Sequence, residues 1–276
     1  MTLYVTDMDG TLLNNGSFVS PLSAEIISDL SYDGALITVA TARTPATVVP
    51  LMEYVHTSVP YIVLTGAATF DPVSLTFIDR NIIPPGDCLV LNGLFAKTDI
   101  HPFIYHFEDN SRLLVYHDPS MNHKEYEFYE ERRNLALKHF IFEMPEHQER
   151  DVILYFAIGP EADIKTLASR IIATELFSVS CYPDIFSVGI YILEVYSLGV
   201  SKAKAVLDLK ERLGADRLVV FGDNLNDLPM FEVADIAVAV ANAQPRVKEL
   251  ADIVIGPNYD DSVAHFISDD FYSPHP

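Results

Sequence analysis

The chain is short of cations. It sets 18 lysines and arginines against 39 aspartates and glutamates, for a formal net charge of -21 over 276 residues. Such a balance repels nucleic acid and anionic membrane surfaces, so neither is expected as a partner. An anionic ligand would need positive charge supplied locally. Cysteine is equally scarce. Cys88 and Cys181 form neither a disulfide framework nor a zinc-ligand spacing, and read as reduced thiols of a cytoplasmic protein. No run approaches the roughly 18 apolar residues of a membrane helix. The N-terminus enters a strand with no basic and apolar leader, so no signal peptide is expected. No repeat or low-complexity segment interrupts the pattern. What remains is ordinary globular material, 49% hydrophobic and 21% charged, enough for one large domain or two smaller ones.

Strand and helix signals alternate at both ends. LYVTD (3–7) reads as a strand. A helix follows at 20–30, with Ser20 as N-cap, Pro21 in the first turn, and Leu22, Ile26, Ile27 and Leu30 on one face. ALITVAT (35–41) reads as a strand buried on both faces. A helix at 44–55 is interrupted by Pro50, a strand follows at 61–66, and a hairpin turns at Asp71-Pro72. Toward the C-terminus come a helix (201–214), a strand (217–221), a helix (225–234), a strand (236–241), a helix (243–251) and a strand (252–256), and the tail from Ser268 reads as surface chain. This alternation predicts an α/β fold, a doubly wound parallel sheet covered on both faces.

The middle differs. After IIPPG (82–86) the pattern becomes α+β: a helix, a hairpin of 100–107 and 112–117, a long polar helix at 122–140, a strand at 152–159, a helix at 161–172, and strands at 176–182 and 190–196. About four strands and two or three helices are expected there. The division predicted is a core of 1–83 and 190–276 with an insertion of 84–189. His101, His106, His117 and His123 show no ligand spacing and read as polar strand or helix-surface residues. Lys204 reads as a solvated helix lysine, and the aromatic residues of the insertion as core.

The chemistry concentrates at predicted strand ends. DMDGTLL (7–13) places Asp7 and Asp9 after the first strand, and GDNLND (222–227) places Asp223, Asn226 and Asp227 after another. Thr41-Ala42-Arg43 follows a third strand, and Lys202 opens a helix. Ligands of open parallel sheets bind beyond the carboxyl ends of the strands, so these segments converge on one edge. Four carboxylates there need a counter-ion, and Mg2+ takes oxygen ligands of this kind. Thr41, Lys202, Asn226 and free helix N–H groups supply what a tetrahedral oxyanion accepts. A cation beside an oxyanion cradle describes phosphoryl transfer. A calcium-loop reading of DMDGTLLNNGSF fails, with Leu12 in the sixth position and Phe18 in the twelfth.

These four segments, in this order, resemble the motifs of the haloacid dehalogenase superfamily, and the position of the insertion resembles the Cof-type phosphatases with an α/β cap. The stretch VADIAVAVANAQPRVKELADIV is similar to that group's C-terminal region. The resemblance implies a Rossmann-like core and a cap governing substrate choice. It implies Asp7 as nucleophile, forming an aspartyl-phosphate, and Asp9 as general acid and then base, protonated at the start through burial or neighbouring carboxylates. It implies Mg2+ held by Asp7, the Asp9 carbonyl and Asp223, with Asp227 as a further or outer ligand. Thr41, Ala42, Arg43, Lys202 and Asn226 would contact the phosphoryl group or substrate. The acid at position 9 favours a phosphatase or phosphomutase over the ion-pumping ATPases and dehalogenases. Ala42 stands where the family often has Gly, and Thr65 where it often has Asn. The expected activity is hydrolysis of small phosphorylated metabolites. A phosphomutase or phosphotransferase, and a non-catalytic phosphometabolite-binding protein, stay open as alternatives.

Overall fold

The computed structural model describes residues 1–142, 150–184 and 187–273. The chain forms two compact units, Met1–Asp79 with Ser201–Pro276, and Arg80–Val200.

The first unit begins with β1 (Thr2–Thr6), α1 (Pro21–Tyr32), β2 (Leu36–Val39) and α2 (Pro45–Leu51). Ser20 caps α1 as expected, its hydroxyl accepting the Ser23 N–H. The buried stripe of α1 is shifted from the predicted one. Ala24, Ile27 and Leu30 face inward with Ser23 and Ser28, while Leu22 is exposed and Ile26 half-buried. Ser28 is tolerated inside because its hydroxyl donates to the Ala24 carbonyl and accepts the His56 N–H. Next come β3 (Tyr61–Val63), β4 (Ala68–Asp71) and β5 (Thr76–Arg80), a separate antiparallel sheet whose β4–β5 turn lies at the predicted Asp71-Pro72. β3 is shorter than the predicted strand because Leu64, Thr65 and Gly66 all adopt positive φ and turn the chain away.

The second unit is an antiparallel and parallel mixture. It contains α3 (Pro85–Phe95), β6 (Phe103–Phe107), β7 (Leu113–Tyr116), α4 (His123–Arg132), β8 (Lys138–Ile141), β9 (Val152–Pro160), α5 (Glu161–Ile172), β10 (Phe177–Pro183) and β11 (Ile190–Ser197). The strands form one six-stranded sheet in the order β10-β11-β9-β6-β7-β8, more than the four expected. Of the two extra strands, β11 lies beyond the predicted end of the insertion, and β8 comes from the predicted long helix. α4 starts at the predicted place, with an Asn122–Glu125 capping box, but ends at Arg132. Leu137 then takes a φ of 64°, and Lys138–Ile141 pairs in parallel with β7. Cys88, Leu91 and Phe95 of α3 and Ile164, Leu167 and Ile171 of α5 pack on Val152, Tyr155, Leu193 and Val195 of the sheet. β11 pairs with β9 and β10, so the chain leaves this unit after Val200, later than the residue 190 read from the sequence. His106 lies on β6, one of the two placements expected of these histidines, and both it and His117 are buried. The His117 ring bonds through its two nitrogens to the Asp118 and His101 carbonyls at 2.7 and 3.1 Å, which makes burial tolerable.

The first unit resumes with α6 (Lys202–Leu213), β12 (Arg217–Gly222), α7 (Leu228–Phe231), β13 (Ile236–Ala239), α8 (Pro245–Leu250), β14 (Ile253–Val254) and α9 (Ser262–Tyr272). The helix predicted over 225–234 is a 3-10 turn, Leu225–Asp227, followed by the short α7. The chain read as a surface tail continues α9 to Tyr272, with Val263, Ala264 and Ile267 buried; residues 274–276 lie outside the described ones. The strand order β14-β13-β12-β1-β2 is parallel throughout. Its direction of growth reverses between β1 and β12, the switch point at which such sheets hold ligands. Asp7 and Asp223 follow those two strands. No helix among the described residues is long and apolar enough to cross a membrane.

Candidate active site

The Asp7 N–H extends the β1–β12 ladder by donating to the Phe221 carbonyl at 3.0 Å. The chain then turns sharply, with Leu12 and Leu13 N–H groups bonded back to the Asp7 and Met8 carbonyls. The turn needs Gly10, which has φ +79° and lies against Asp223; a Cβ there would be 2.5 Å from the Asp223 Oδ2. Thr11 donates its hydroxyl to the Asp223 Oδ1 at 3.1 Å. The two acid-bearing loops are therefore in direct contact.

Lys202 joins them from the start of α6. Its ammonium, on a side chain only 2% exposed, donates to the Asp7 Oδ1 at 2.6 Å and the Asp227 Oδ1 at 2.9 Å. Asp227 is fully buried, and its Oδ2 accepts the N–H groups of Asp223 and Asn224, each at 3.1 Å. This carboxylate thus shapes the 222–227 loop as well as anchoring the lysine. Burial, with the Asp227 charge second, pushes Asp7 up to about 8 in spite of Lys202. Burial and Asp227 likewise push Asp223 up to about 6. Burial opposes the charge on Lys202, but Asp7 and Asp227 outweigh it and hold its pKa above the ordinary value.

Oxygen atoms of Asp7, Asp223 and Asp227 lie within 4.8 Å of one another. Three carboxylates crowd one lysine, and the charge of Asp227 adds to burial in raising both Asp7 and Asp223. The set is all oxygen and no nitrogen or sulfur, which suits a hard divalent cation. A site for such a cation therefore fits the residues present.

Asp9 is placed differently from the expectation. Its side chain is 56% exposed, and Arg43 grips it through Nε and Nη2 at 2.7 and 2.6 Å. The burial expected as one alternative for this carboxyl is absent. Arg43 itself, 30% exposed, pairs with a candidate catalytic acid rather than with an unrelated surface charge. Thr41 is buried at the end of β2, with its hydroxyl accepting the Arg43 N–H at 3.2 Å. Ala42 is half-buried between them. Asn226 is exposed on the 3-10 turn, and Asp227, its neighbour, is the residue of that turn drawn into the carboxylate cluster.

Two contributors escaped the sequence reading. Thr11 was visible in DMDGTLL, but its bond to Asp223 spans a separation that local spacing does not encode. Gly66, at φ +92°, lies against the Ser201 carbonyl, so the left-handed turn 64–66 abuts the N-cap that presents Lys202. The same turn bonds to the 41–43 segment, through Leu64 N–H to the Arg43 carbonyl and Thr65 N–H to the Thr41 carbonyl, both at 3.0 Å.

The sequence model of the haloacid dehalogenase-like hydrolases matches residues 4–267. The chain belongs to this family. Among similar members, pyridoxal phosphate phosphatase of Escherichia coli K12 is 27% identical over 280 residues, covering 95% of each chain. A 5-amino-6-(5-phospho-D-ribitylamino)uracil phosphatase of Bacillus subtilis is 26% identical, covering 96% of this chain and 94% of its own. A haloacid dehalogenase-like hydrolase from Bacteroides thetaiotaomicron superposes with a TM-score of 0.79 at 22% identity, over 98% of this chain and 99% of that one. The superposition extends the family likeness to the fold: a Rossmann-like core sheet with a second, inserted sheet unit.

Proposed function

We propose that the protein is a Mg2+-dependent phosphatase that hydrolyses phosphate monoesters of small metabolites through an aspartyl-phosphate on Asp7. The observation that carries this reading is the Lys202 ammonium held between Asp7 and Asp227, beside Asp223. It supports reading Asp7 as the nucleophile, Lys202 as the cation that receives phosphoryl oxygens and the three carboxylates as the cation-binding set. Family members named as phosphatases of pyridoxal phosphate and of a ribityl phosphate support the same substrate class.

Asp7, Asp223 and, from the outer side, Asp227 would hold Mg2+, which supplies charge neutralisation for the transferring phosphoryl group. An Asp7 carboxylate oxygen attacks phosphorus, forming the Asp7 O–P bond as the bond to the leaving oxygen breaks. Asp9 enters carrying a proton and donates it to that oxygen, so the alcohol departs neutral. Water then attacks the aspartyl-phosphate, Asp9 takes its proton, and the P–O bond to Asp7 breaks to give orthophosphate. The Arg43 pair suits the carboxylate form of Asp9 that exists between the two halves. Lys202, Thr41 and Asn226 bind phosphoryl oxygens, while Ala42 and Arg43 line the approach. Catalysis is assigned to the first unit and substrate choice to the second, and the protein is assigned to the cytoplasm.

The test is phosphate release from a panel of esters including p-nitrophenyl phosphate. Activity is expected with Mg2+ and lost in EDTA and in Asp7→Asn. Turnover surviving either change would overturn the mechanism. Product analysis with and without a sugar acceptor separates hydrolysis from transfer.

A further inference from the structure

The turn between β13 and α8 meets both acid-bearing loops. The Asn242 side chain donates from Nδ2 to the Gly10 carbonyl at 2.7 Å. Two residues on, the Gln244 backbone N–H donates to the Asp223 carbonyl at 2.9 Å, and its side chain donates to the Asn224 Oδ1 at 2.6 Å. The turn is itself fixed. Asn242 Oδ1 accepts the Asn258 N–H at 2.9 Å, and the Asn258 side chain donates to the Leu13 carbonyl at 2.7 Å. Segment 242–244 thus holds the Gly10 and Asp223 carbonyls, while the Asp223 carboxylate lies against Gly10 and Thr11.

That contact sets where the Asp223 carboxylate points. Gly10 bounds it sterically, and Thr11 bonds its Oδ1. We propose that Asn242 is a positioning residue for the cation site: by fixing the Gly10 carbonyl it fixes the surface on which Asp223 rests, and so the spacing of Asp223 from Asp7. It touches neither substrate nor cation. The inference rests on the proposed cation-dependent phosphatase. Residues that orient ligands in this way cost roughly 10–100-fold in metal affinity or activity when removed. Asn242 is exposed, so its truncation opens no cavity, and a general loss of stability is not expected.

The experiment is Mg2+ titration of the full chain by calorimetry, with the wild type, Asn242→Ala, Asn242→Ser and Asp223→Asn, alongside thermal melts in EDTA and kcat and KM for p-nitrophenyl phosphate. Asn242→Ala and Asn242→Ser are expected to weaken Mg2+ binding by about tenfold, with kcat at fixed low Mg2+ falling together and saturating Mg2+ restoring most of it. Melts in EDTA should stay near the wild type. Both variants binding Mg2+ as the wild type does, whatever their melting temperatures, would overturn the positioning role and leave the phosphatase reading intact. A wild type that binds no Mg2+, or an Asp223→Asn that binds it equally well, would overturn the cation site and the brace together.

Discussion

Arg43 and Asp9 form a two-point ion pair, guanidinium to carboxylate, at 2.7 and 2.6 Å. The match of a planar fork to a carboxylate fixes the orientation of Asp9 in a way a point charge does not. The pair lies partly in solvent, so it adds only about 0–1 kcal/mol to folding. Under the proposed mechanism its consequence is catalytic, through the orientation of Asp9. Arg43→Ala is expected to lower kcat about tenfold or more while moving the melting temperature by little, the size typical of an outer contact that orients a reacting group. Arg43→Lys should recover less than half of the loss. Steady-state kinetics beside thermal melts check this, and an Arg43→Lys enzyme as fast as wild type would show that charge alone matters.

Mg2+ stabilisation should grow with pH. In the metal-free protein Asp7 is pushed up to about 8 and Asp223 to about 6, from ordinary values of 3.8. An acid with a raised folded pKa favours folding below its unfolded value, and that contribution is lost as pH rises through the folded value. The metal-free protein therefore loses stability from these groups between about pH 4 and 8. A divalent cation needs both carboxylates deprotonated, so its binding expels protons within the same window. The rise in melting temperature between EDTA and excess Mg2+ should be larger at pH 8 than at pH 6. Calorimetry in buffers of different ionisation heat should register the released protons at pH 6. An equal rise at both pH values would contradict the raised carboxylates.

The start of the helix that presents Lys202 packs against a glycine outside it. A Cβ on Gly66 would overlap the Ser201 carbonyl, and Gly66 also has φ +92°. Gly66→Ala is expected to cost about 1–3 kcal/mol through backbone strain. The loss should extend to activity, because Ser201 caps the helix that begins with Lys202. A Gly34→Ala control has a positive φ too, but its Cβ meets open space. Thermal melts and kcat on the two variants should show strain in both and loss of catalysis in Gly66→Ala alone.

The contrast between these positions explains what was legible in the sequence. DMDGTLL and GDNLND announce themselves because each packs several chemically unusual groups into one turn after an apolar strand. Lys202 was legible through Ser201, a local cap signal. Asn242 and Gly66 were not, because each acts on a loop far away in the chain through one backbone contact. Of the two environments expected for Asp9, burial or neighbouring carboxylates, burial is absent: its side chain reaches out to Arg43, whereas Asp7, two residues earlier, stays at the sheet edge. The stretch 133–140 looked helical because NLALKHF continues good helix formers. Leu137 in the left-handed region ended that pattern, and tertiary pairing with β7 made a strand of it. α9 is not expected from the sequence although Asp261 is a usual cap residue; in the structure Asp261 is left-handed and makes no side-chain cap bond.

Lys138 on that unexpected strand gives the last prediction. It is 2% exposed, and its ammonium lies 5.8, 5.9 and 5.3 Å from the ring centres of Tyr105, Phe128 and Phe140. No carboxylate among the described residues pairs with it, and burial, helped by the nearby Arg132 charge, pulls its pKa down to about 7. The aromatic faces attract a cation but do not replace its water. A lysine whose folded pKa is depressed from 10.5 takes up its proton more readily when unfolded. Stability then falls as pH drops from about 10 to about 7, and below that the full penalty persists. Lys138→Met keeps the length of the side chain and removes the charge. It is expected to stabilise the second unit by about 1–4 kcal/mol at pH 7 and below, by analogy with apolar replacement of buried charges. The gain should shrink steadily toward pH 10. Denaturant melts at pH 6, 8 and 10 measure it; a gain independent of pH would mean that Lys138 is charged and compensated throughout.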